Sequence, residues 1–548
     1  MAELVYNVRD VRTIRELFET TVQEHSDKVA FLYRSGEAVR EVTYDEAFAD
    51  VRALATYLNS LGLSGKKIAL MGKNCYNWAL TYLAVTCGVG VIVPVDKELK
   101  SVDVENIMKL SGAAALIVTP ELETLAAECS ENVLSTAGME QYLQCGRELM
   151  LQGDDSYDRH RIDPDALGVL LYTSGTTGAA KGVMLSQHNI CADIVAVLKK
   201  VYVDSTERTL SILPLHHTYE CTAGFLAMVY CGASIAYSEG LRRIPAELKL
   251  FQPTIFIGVP LIFETIHRNI VEKYSAVAAG RLLISAARRI PALRGRKSFS
   301  KVHEFFGGKC RRLLCGAASM DPDIFRDYEM FGFDVYIGYG LTECSPVCIM
   351  HNDSYRCAED IGEPLSCLKA KLIDVNEDGV GELAVKGTNV MLGYYNDPES
   401  TANAIDAEGW FHTGDLATVD DKGHYRIVGR VKTMIVTKNG KKIFPEELEV
   451  RLAGFPEVRE SMAYGIQEGD GDTVVAVRIF PDNDVLAAKL GERAGDRDAV
   501  LEHFTSIVKT VNKDLPHYKA IRKTFIRDRE FAKTTTRKIK RADEENLR

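Results

Sequence analysis

Short, unbroken apolar segments alternate with helical patterns through about the first 430 of 548 residues, and this rhythm narrows the fold further than any other feature. Lys67–Met71 and Ala113–Val118 show no apolar-polar alternation, so they predict strands covered on both faces, as in a parallel sheet. Helical stretches at Tyr44–Leu61 and Val102–Leu110 flank them, and the rhythm returns at Thr209–Leu213, Thr254–Gly258 with the helix Leu261–Lys273, and Arg312–Leu314. Strands separated by helices build layered α/β architecture with right-handed crossovers. From Lys371 the texture changes to short strands, Lys371–Val375 and Glu382–Gly387, around the turn Asn376–Gly379. After Gly429 a fresh unit begins, with strands near Met434–Val436 and Val474–Phe480 and a helix at Asp498–Lys509. The expected fold is α/β. A large N-terminal domain, 1–430, consists of layered α/β subdomains and a β-rich subdomain at about 370–430; a small α+β C-terminal domain, 431–548, follows it.

Charge and cysteine usage exclude several functions. The chain carries 66 Lys and Arg against 76 Asp and Glu, a net charge of −10, which argues against a non-specific nucleic-acid binder. Its 13 cysteines form no CxxC pair, and the first residues lack the apolar core of a signal peptide, so a reducing cytoplasm is expected. The longest apolar run, Ala79–Val95, is broken by Gly88, Gly90 and Pro94 and predicts a buried helix followed by a strand rather than a membrane span. No transmembrane segment is expected; transient contact with a membrane surface stays compatible with the sequence.

The chemistry concentrates in a few stretches. In Tyr172-Thr-Ser-Gly-Thr-Thr-Gly-Ala-Ala-Lys-Gly182, the glycines let the backbone turn tightly and aim N–H groups at an anion. The hydroxyls of Thr173, Ser174, Thr176 and Thr177 add donors, and Lys181 adds a mobile positive charge. Ala179 and Ala180 stand between Gly178 and Lys181, so this is not the common P-loop. A flexible linker is the plain alternative, but the run sits between the strand-like Leu167–Tyr172 and the apolar Val183-Met-Leu185. A phosphate cradle fits that setting better. The second stretch is Tyr339-Gly-Leu-Thr-Glu343. A carboxylate beside a triphosphate repels it unless a cation lies between, which suits Glu343 as a Mg²⁺ ligand. The third is Gly409-Trp-Phe-His-Thr-Gly-Asp415, followed by Gly429-Arg430: an Asp to accept from ribose hydroxyls and an Arg to grip phosphate. Each of these two alone is weak.

Together and in this order, the stretches resemble the adenylate-forming superfamily, and within it the long-chain fatty acid–CoA ligases. The resemblance covers nearly the whole chain. It implies that Thr173, Ser174, Gly175, Thr176, Thr177, Gly178 and Lys181 hold the triphosphate. Gly316-Ala317-Ala318 and Tyr339-Gly340 resemble the nucleobase and acyl-wall segments, Thr342 and Glu343 the phosphate and Mg²⁺ positions, and Asp415 and Arg430 the ribose and phosphate contacts. Lys533-Thr-Thr-Thr-Arg-Lys-Ile-Lys-Arg541 resembles the C-terminal motif whose lysine drives adenylation, here Lys538, and a thiol path is implied near Gly440. A mobile C-terminal domain is implied, pivoting at Val431-Lys432. Three departures stand out: Ala180 where proline is common, Arg537 where glycine precedes the catalytic lysine, and Lys432 where the pivot is often Asp.

The implied reaction joins a carboxylic acid to ATP as acyl-AMP and then to a thiol, with Mg²⁺ as cofactor and ATP and coenzyme A as co-substrates. Amino-acid-activating members carry an Asp in the central substrate segment. Leu213-Pro-Leu-His-His-Thr-Tyr-Glu220 has none, and His216-His217 resembles the fatty-acyl and aryl branches, with His217 as the catalytic candidate. Gly224, Val259, Pro260, Leu261 and Gly316–Ala318 are small or apolar, as an acyl tunnel requires, and no bulky aromatic wall is expected. A medium- or long-chain fatty acid is the expected substrate. Two rivals remain: a stand-alone ligase that loads an acyl or aryl acid onto a carrier protein's phosphopantetheine, and a non-catalytic homologue that binds nucleotide or acyl groups.

Overall fold

A computed structural model describes residues 6–174, 180–437, 441–467, 473–533, 539–541 and 543–547, apart from the side chains of residues 174 and 544. They form two compact units, one of Met1–Ala370 with Val385–Phe411, the other of Lys371–Ala384 with His412–Arg548.

The first unit holds two large sheets. One runs in the order Gly393–Tyr394, Ala180–Ser186, Leu167–Ser174, Val91–Val95, Lys67–Met71, Ala115–Val118 and Val133–Ser135. Its inner strands are parallel, with Lys67 beside Val91 and Ile68 beside Ala115, as their unbroken apolar runs predict. At one edge the direction reverses: Leu170 pairs antiparallel with Met184, which also faces Gly393. The other sheet has nine strands, parallel through Ser234–Tyr237, Arg208–Ser211, Ile255–Gly258, Arg312–Cys315 and Asp334–Gly340, with Val347–Met350 turning back antiparallel.

Local chemistry explains the element boundaries. Tyr44–Ser60 begins on a capping box in which the Thr43 hydroxyl accepts from the Glu46 N–H and the Glu46 carboxylate accepts in return. Ser186 and Asn189 open Gln187–Lys200 in the same way. The run Ala79–Val95 is the buried helix Tyr76–Gly88 followed by the strand Val91–Val95. Among the described residues no helix is long and apolar enough to cross a membrane. Buried rings beneath the nine-stranded sheet meet edge to face, Phe256 on Phe306 at 5.7 Å and Phe263 on Tyr328 at 5.9 Å. All 13 cysteines are free thiols.

The second unit contains most of a four-stranded sheet, Leu368–Ile373, Gly381–Gly387, Phe411–Val419 and Tyr425–Arg430. The Asn376 side chain closes the turn between the first two by accepting from the N–H groups of Asp378 and Val380. It also holds a three-stranded sheet, Val458–Gln467, Thr473–Pro481 and Ile521–Ile526, which shares a core with the helices Pro445–Ala453 and Arg497–Lys513 through Leu448, Leu452, Val477, Phe504 and Ile507. This is the α+β texture expected of the C-terminal region. Residues 371–384 and 412–430 group by packing with the C-terminal residues.

Candidate active site

The strands on either side of the glycine-rich run pair antiparallel. Leu167–Ser174 leads into it and Ala180–Ser186 leads out, with Thr173 opposite Lys181 and Ser174 opposite Ala180. Gly175, Thr176, Thr177 and Gly178 lie outside the described residues. A Cβ on Gly182 would stand 3.2 Å from the Cβ of Tyr395, so the glycine admits the close approach of the Gly393–Tyr394 edge.

Lys181 and Glu343 come together through a residue that the sequence pattern did not mark. The Lys181 Nζ donates to Ser400 Oγ at 2.8 Å and lies 4.9 Å from the ring centroid of Tyr394, a cation–π distance. On its other side Tyr394 donates its hydroxyl to Glu343 Oε1 at 2.9 Å. Burial, and then the Glu343 charge, raise the phenol well above its usual range, so it stays a donor. Ser400 is fixed at the start of the helix Pro398–Ala404, where Asp397 caps its N–H at 2.9 Å. The Asn396-Asp397-Pro398 run is a legible helix start; nothing in the sequence singled out Tyr394.

Glu343 sits in the 3₁₀ turn Thr342–Cys344, just after the strand Asp334–Gly340. Tyr339, Gly340, Thr342 and Glu343 form a half-buried run between buried Ile337 and buried Cys344, as a ligand-facing edge would. A Cβ on Gly340 would fall 1.8 Å from the Pro346 carbonyl oxygen, so only glycine fits where the chain doubles back. Asn389 holds that return by donating to the carbonyls of Cys344 at 3.1 Å and Val347 at 2.8 Å.

His217 is half-buried, with its ring centroid 4.2 Å from that of His216. His216 is 7% exposed, and burial, with His217 and Lys97 nearby, holds its pKa well below the usual range, so the ring is neutral. Glu220–Leu226 forms a π-helix, a conformation often found at functional sites. Glu220 is 1% exposed, and burial pushes its carboxyl up to about 8. Gly224 and Gly316, expected to line an acyl tunnel, each stand against a neighbouring side chain. A Cβ on Gly224 would lie 2.7 Å from the Glu220 carboxyl, and one on Gly316 would lie 2.8 Å from the Tyr219 ring. The Tyr219 hydroxyl donates to the Leu314 carbonyl at 3.2 Å. Ala317 follows with φ +69°, a left-handed conformation that costs a non-glycine residue and marks a constrained turn.

In the second unit, Asp415 is 3% exposed and its Oδ1 accepts from Arg430 Nε at 2.7 Å; the two also face each other in register. Lys538 and Gly440 lie outside the described residues. The ends of the segment carrying Lys538 are anchored: Lys533 bridges to Ile539 and pairs with Glu460, while Arg541 reaches Glu449 at 2.5 Å and the Ala463 carbonyl at 3.1 Å. Burial pushes Glu449 up to about 7, against the pull of the Arg541 charge.

No group of three or more His, Cys, Asp or Glu that could hold a metal occurs among the described residues. Mg²⁺ is commonly held by one or two carboxylates plus substrate phosphates. Glu343, a half-buried carboxylate near Lys181, suits such a site.

Layered α/β sheets that carry Lys181 and Glu343 against one tyrosine match the class of adenylate-forming ligases. The chain belongs to the AMP-binding enzyme family, whose model matches residues 18–395, and it is an ATP-using acid–thiol ligase. A long-chain-fatty-acid–CoA ligase, FadD15 of Mycobacterium bovis, is 27% identical over 557 residues, covering 91% of this chain and 90% of the relative. A long-chain-fatty-acid–[acyl-carrier-protein] ligase of Arabidopsis thaliana, AEE15, is 26% identical, covering 80% of this chain and 72% of the relative. Among solved structures, the anthranilate CoA ligase AuaEII in complex with anthranoyl-AMP has a TM-score of 0.77 and 19% identity, over 99% of this chain and 97% of that one. It shares the fold.

Proposed function

We propose that the protein activates a medium- or long-chain fatty acid with ATP and transfers it to coenzyme A, releasing pyrophosphate and AMP. The observation that carries this is the Lys181–Tyr394–Glu343 arrangement. It sets a phosphate-seeking ammonium at the ring and a cation-seeking carboxylate at the hydroxyl of one tyrosine, as a metal-bound triphosphate requires. Glu343 would hold Mg²⁺, which would supply neutralising charge and Lewis acidity. Lys181, with Thr173, Ser174, Thr176, Thr177 and the amides of Gly175 and Gly178, orients the triphosphate, helped by Thr342. An oxygen of the substrate carboxylate attacks the α-phosphorus; the bond to the bridging oxygen breaks and pyrophosphate leaves. Lys538 stabilises the charge that develops in this step, and His217 hydrogen-bonds the carboxylate. Tyr339, Gly340, Gly316 and Ala317 flank the nucleobase and acyl group, and Asp415 and Arg430 take ribose and phosphate. The thiol, entering near Gly440, then attacks the acyl carbon, the bond to AMP breaks, and the thiol proton passes to solvent.

The choice of a fatty acid over an amino acid has support beyond the missing Asp. Glu220 is the carboxyl of the substrate segment, and a pKa of about 8 leaves it mostly uncharged at neutral pH, a poor partner for an α-ammonium. Tyr219 against Gly316 favours an aryl acid as the second reading. The deciding experiment is hydroxylamine-trapped, ATP-dependent activation of acetate, octanoate, palmitate, benzoate and amino acids. Palmitate or octanoate should lead, and benzoate in the lead selects the second reading. An amino acid that matches them overturns the proposal. Coenzyme A and a phosphopantetheinylated carrier protein, offered separately, then settle the acceptor.

A further inference from the structure

The helix Ala278–Arg289 and the residues after it have a composition unlike the rest of the chain. Residues 281–301 contain seven Lys or Arg and no Asp or Glu, in a chain whose net charge is −10. Of the helix, only Ile284 and Ala287 are buried. The opposite face carries Leu282, 71% exposed, with Arg289 two turns further on, and the helix is flanked by Val277 at 60% and Ile290 at 49% exposure.

Most of this charge is uncompensated. Arg288 is neutralised, its guanidinium gripping the buried Asp327 at 2.7 Å and 3.1 Å. Arg281 donates to the Ser275 carbonyl, Arg294 to those of Ala287 and Arg288, and Arg296 to that of Gly308. Carbonyls satisfy hydrogen bonds without cancelling charge. Arg289, Lys297 and Lys301 form no ion pair among the described residues. Large aliphatic side chains in water beside clustered cations suit an interface that is apolar inside and anionic at its surface.

We propose that this face docks on an anionic lipid bilayer, with Leu282, Val277 and Ile290 entering the acyl boundary and Arg281, Arg289, Arg294 and Lys297 meeting phosphate headgroups. Soluble nucleic acid or acidic protein would satisfy the cations but offers no apolar layer for Leu282. The inference is independent of the catalytic reading, since none of these residues belongs to the active site described above.

Flotation of the full chain with vesicles tests it. The protein should float with phosphatidylcholine vesicles containing phosphatidylglycerol and not with phosphatidylcholine alone. The double variant Leu282→Asp/Arg289→Glu should lose about tenfold or more of that binding. Leu282→Ser should retain binding at low salt and lose the part that survives high salt. Both positions are exposed, so circular dichroism and pyrophosphate release with a short water-soluble acid should not change. Absence of flotation with the mixed vesicles, or a double variant that floats like the wild type, overturns the proposal. Heparin binding equal to vesicle binding, with the same response to Leu282→Ser, also overturns it and assigns the face to a soluble polyanion.

Discussion

The Tyr394 hydroxyl lies 2.9 Å from Glu343 Oε1 while the ring of the same residue lies 4.9 Å from the Lys181 ammonium. Opposite charges this close to a common neighbour are drawn into direct contact, and a direct pair would mask both from a nucleotide. Tyr394 gives each charge a separate partner. Tyr394→Phe keeps the ring but frees the carboxylate, so the ATP KM should hold while the Mg²⁺ concentration for half-maximal rate shifts. Tyr394→Leu removes both partners and should cost about tenfold in kcat/KM for ATP, the worth of a hydrogen bond to a charged group. Pyrophosphate release titrated separately with ATP and Mg²⁺ measures both. Wild-type parameters in the Leu variant would make Tyr394 a packing residue only.

Glu343→Gln preserves the shape of the turn and can still accept from Tyr394, so thermal unfolding should not move. The neutral amide cannot offset a divalent charge. Adenylation should fall by about a hundredfold, the usual cost of losing one preorganised charge interaction, and calorimetric ATP binding should lose its gain from added Mg²⁺. An unchanged rate and Mg²⁺ requirement would reduce Glu343 to a structural acid.

Glu220 gives a pH prediction whose sign can be worked out. Its folded pKa of about 8 lies above the ordinary 4.5, so the folded state holds a proton that the unfolded chain releases. Stability from this group is fully present below about pH 4.5, declines as pH rises, and is gone above about pH 8. A tenfold difference in proton affinity between the folded and unfolded states is worth about 1.4 kcal/mol. Urea midpoints of the wild type should therefore fall between these limits, and Glu220→Gln should flatten that fall. Parallel curves for the two proteins would show that the buried carboxyl is not protonated in the fold.

Much of this architecture was legible because it depends on local pattern. Lys67–Met71 and Ile255–Gly258 are unbroken apolar runs, and parallel strands covered on both faces require them. Thr342 and Glu343 were legible from their place after a strand. Tyr394 was not, because its role arises from an antiparallel pairing of Gly393 with Met184, more than 200 residues apart, which local periodicity does not encode. The neighbours of Gly224 and Gly316 were not legible for a related reason. A small residue signals space, but the sequence does not say whether a ligand or a neighbouring side chain fills it; here Glu220 and Tyr219 do.

The last prediction separates the two half-reactions. The family resemblance assigns Lys538 to adenylation alone and implies a pivot at Val431-Lys432 that changes the orientation of the C-terminal domain, 431–548, between steps. Around that pivot the backbone is held by short-range bonds: Val431 N–H to the Gly414 carbonyl at 2.9 Å, and Met434 N–H to that of Arg430 at 3.1 Å. Lys538→Ala should lose acyl-AMP formation by two or more orders of magnitude, about 3 kcal/mol for one charged stabiliser. It should still convert supplied acyl-AMP and coenzyme A to thioester at near the normal rate. Lys432→Pro fixes φ at the pivot, and if it traps the adenylating orientation it should do the reverse. Rapid-quench measurement of each half-reaction decides the matter. Equal slowing of both steps in Lys538→Ala would mean that one arrangement serves the whole reaction, and that the lysine binds substrate rather than driving the first chemical step.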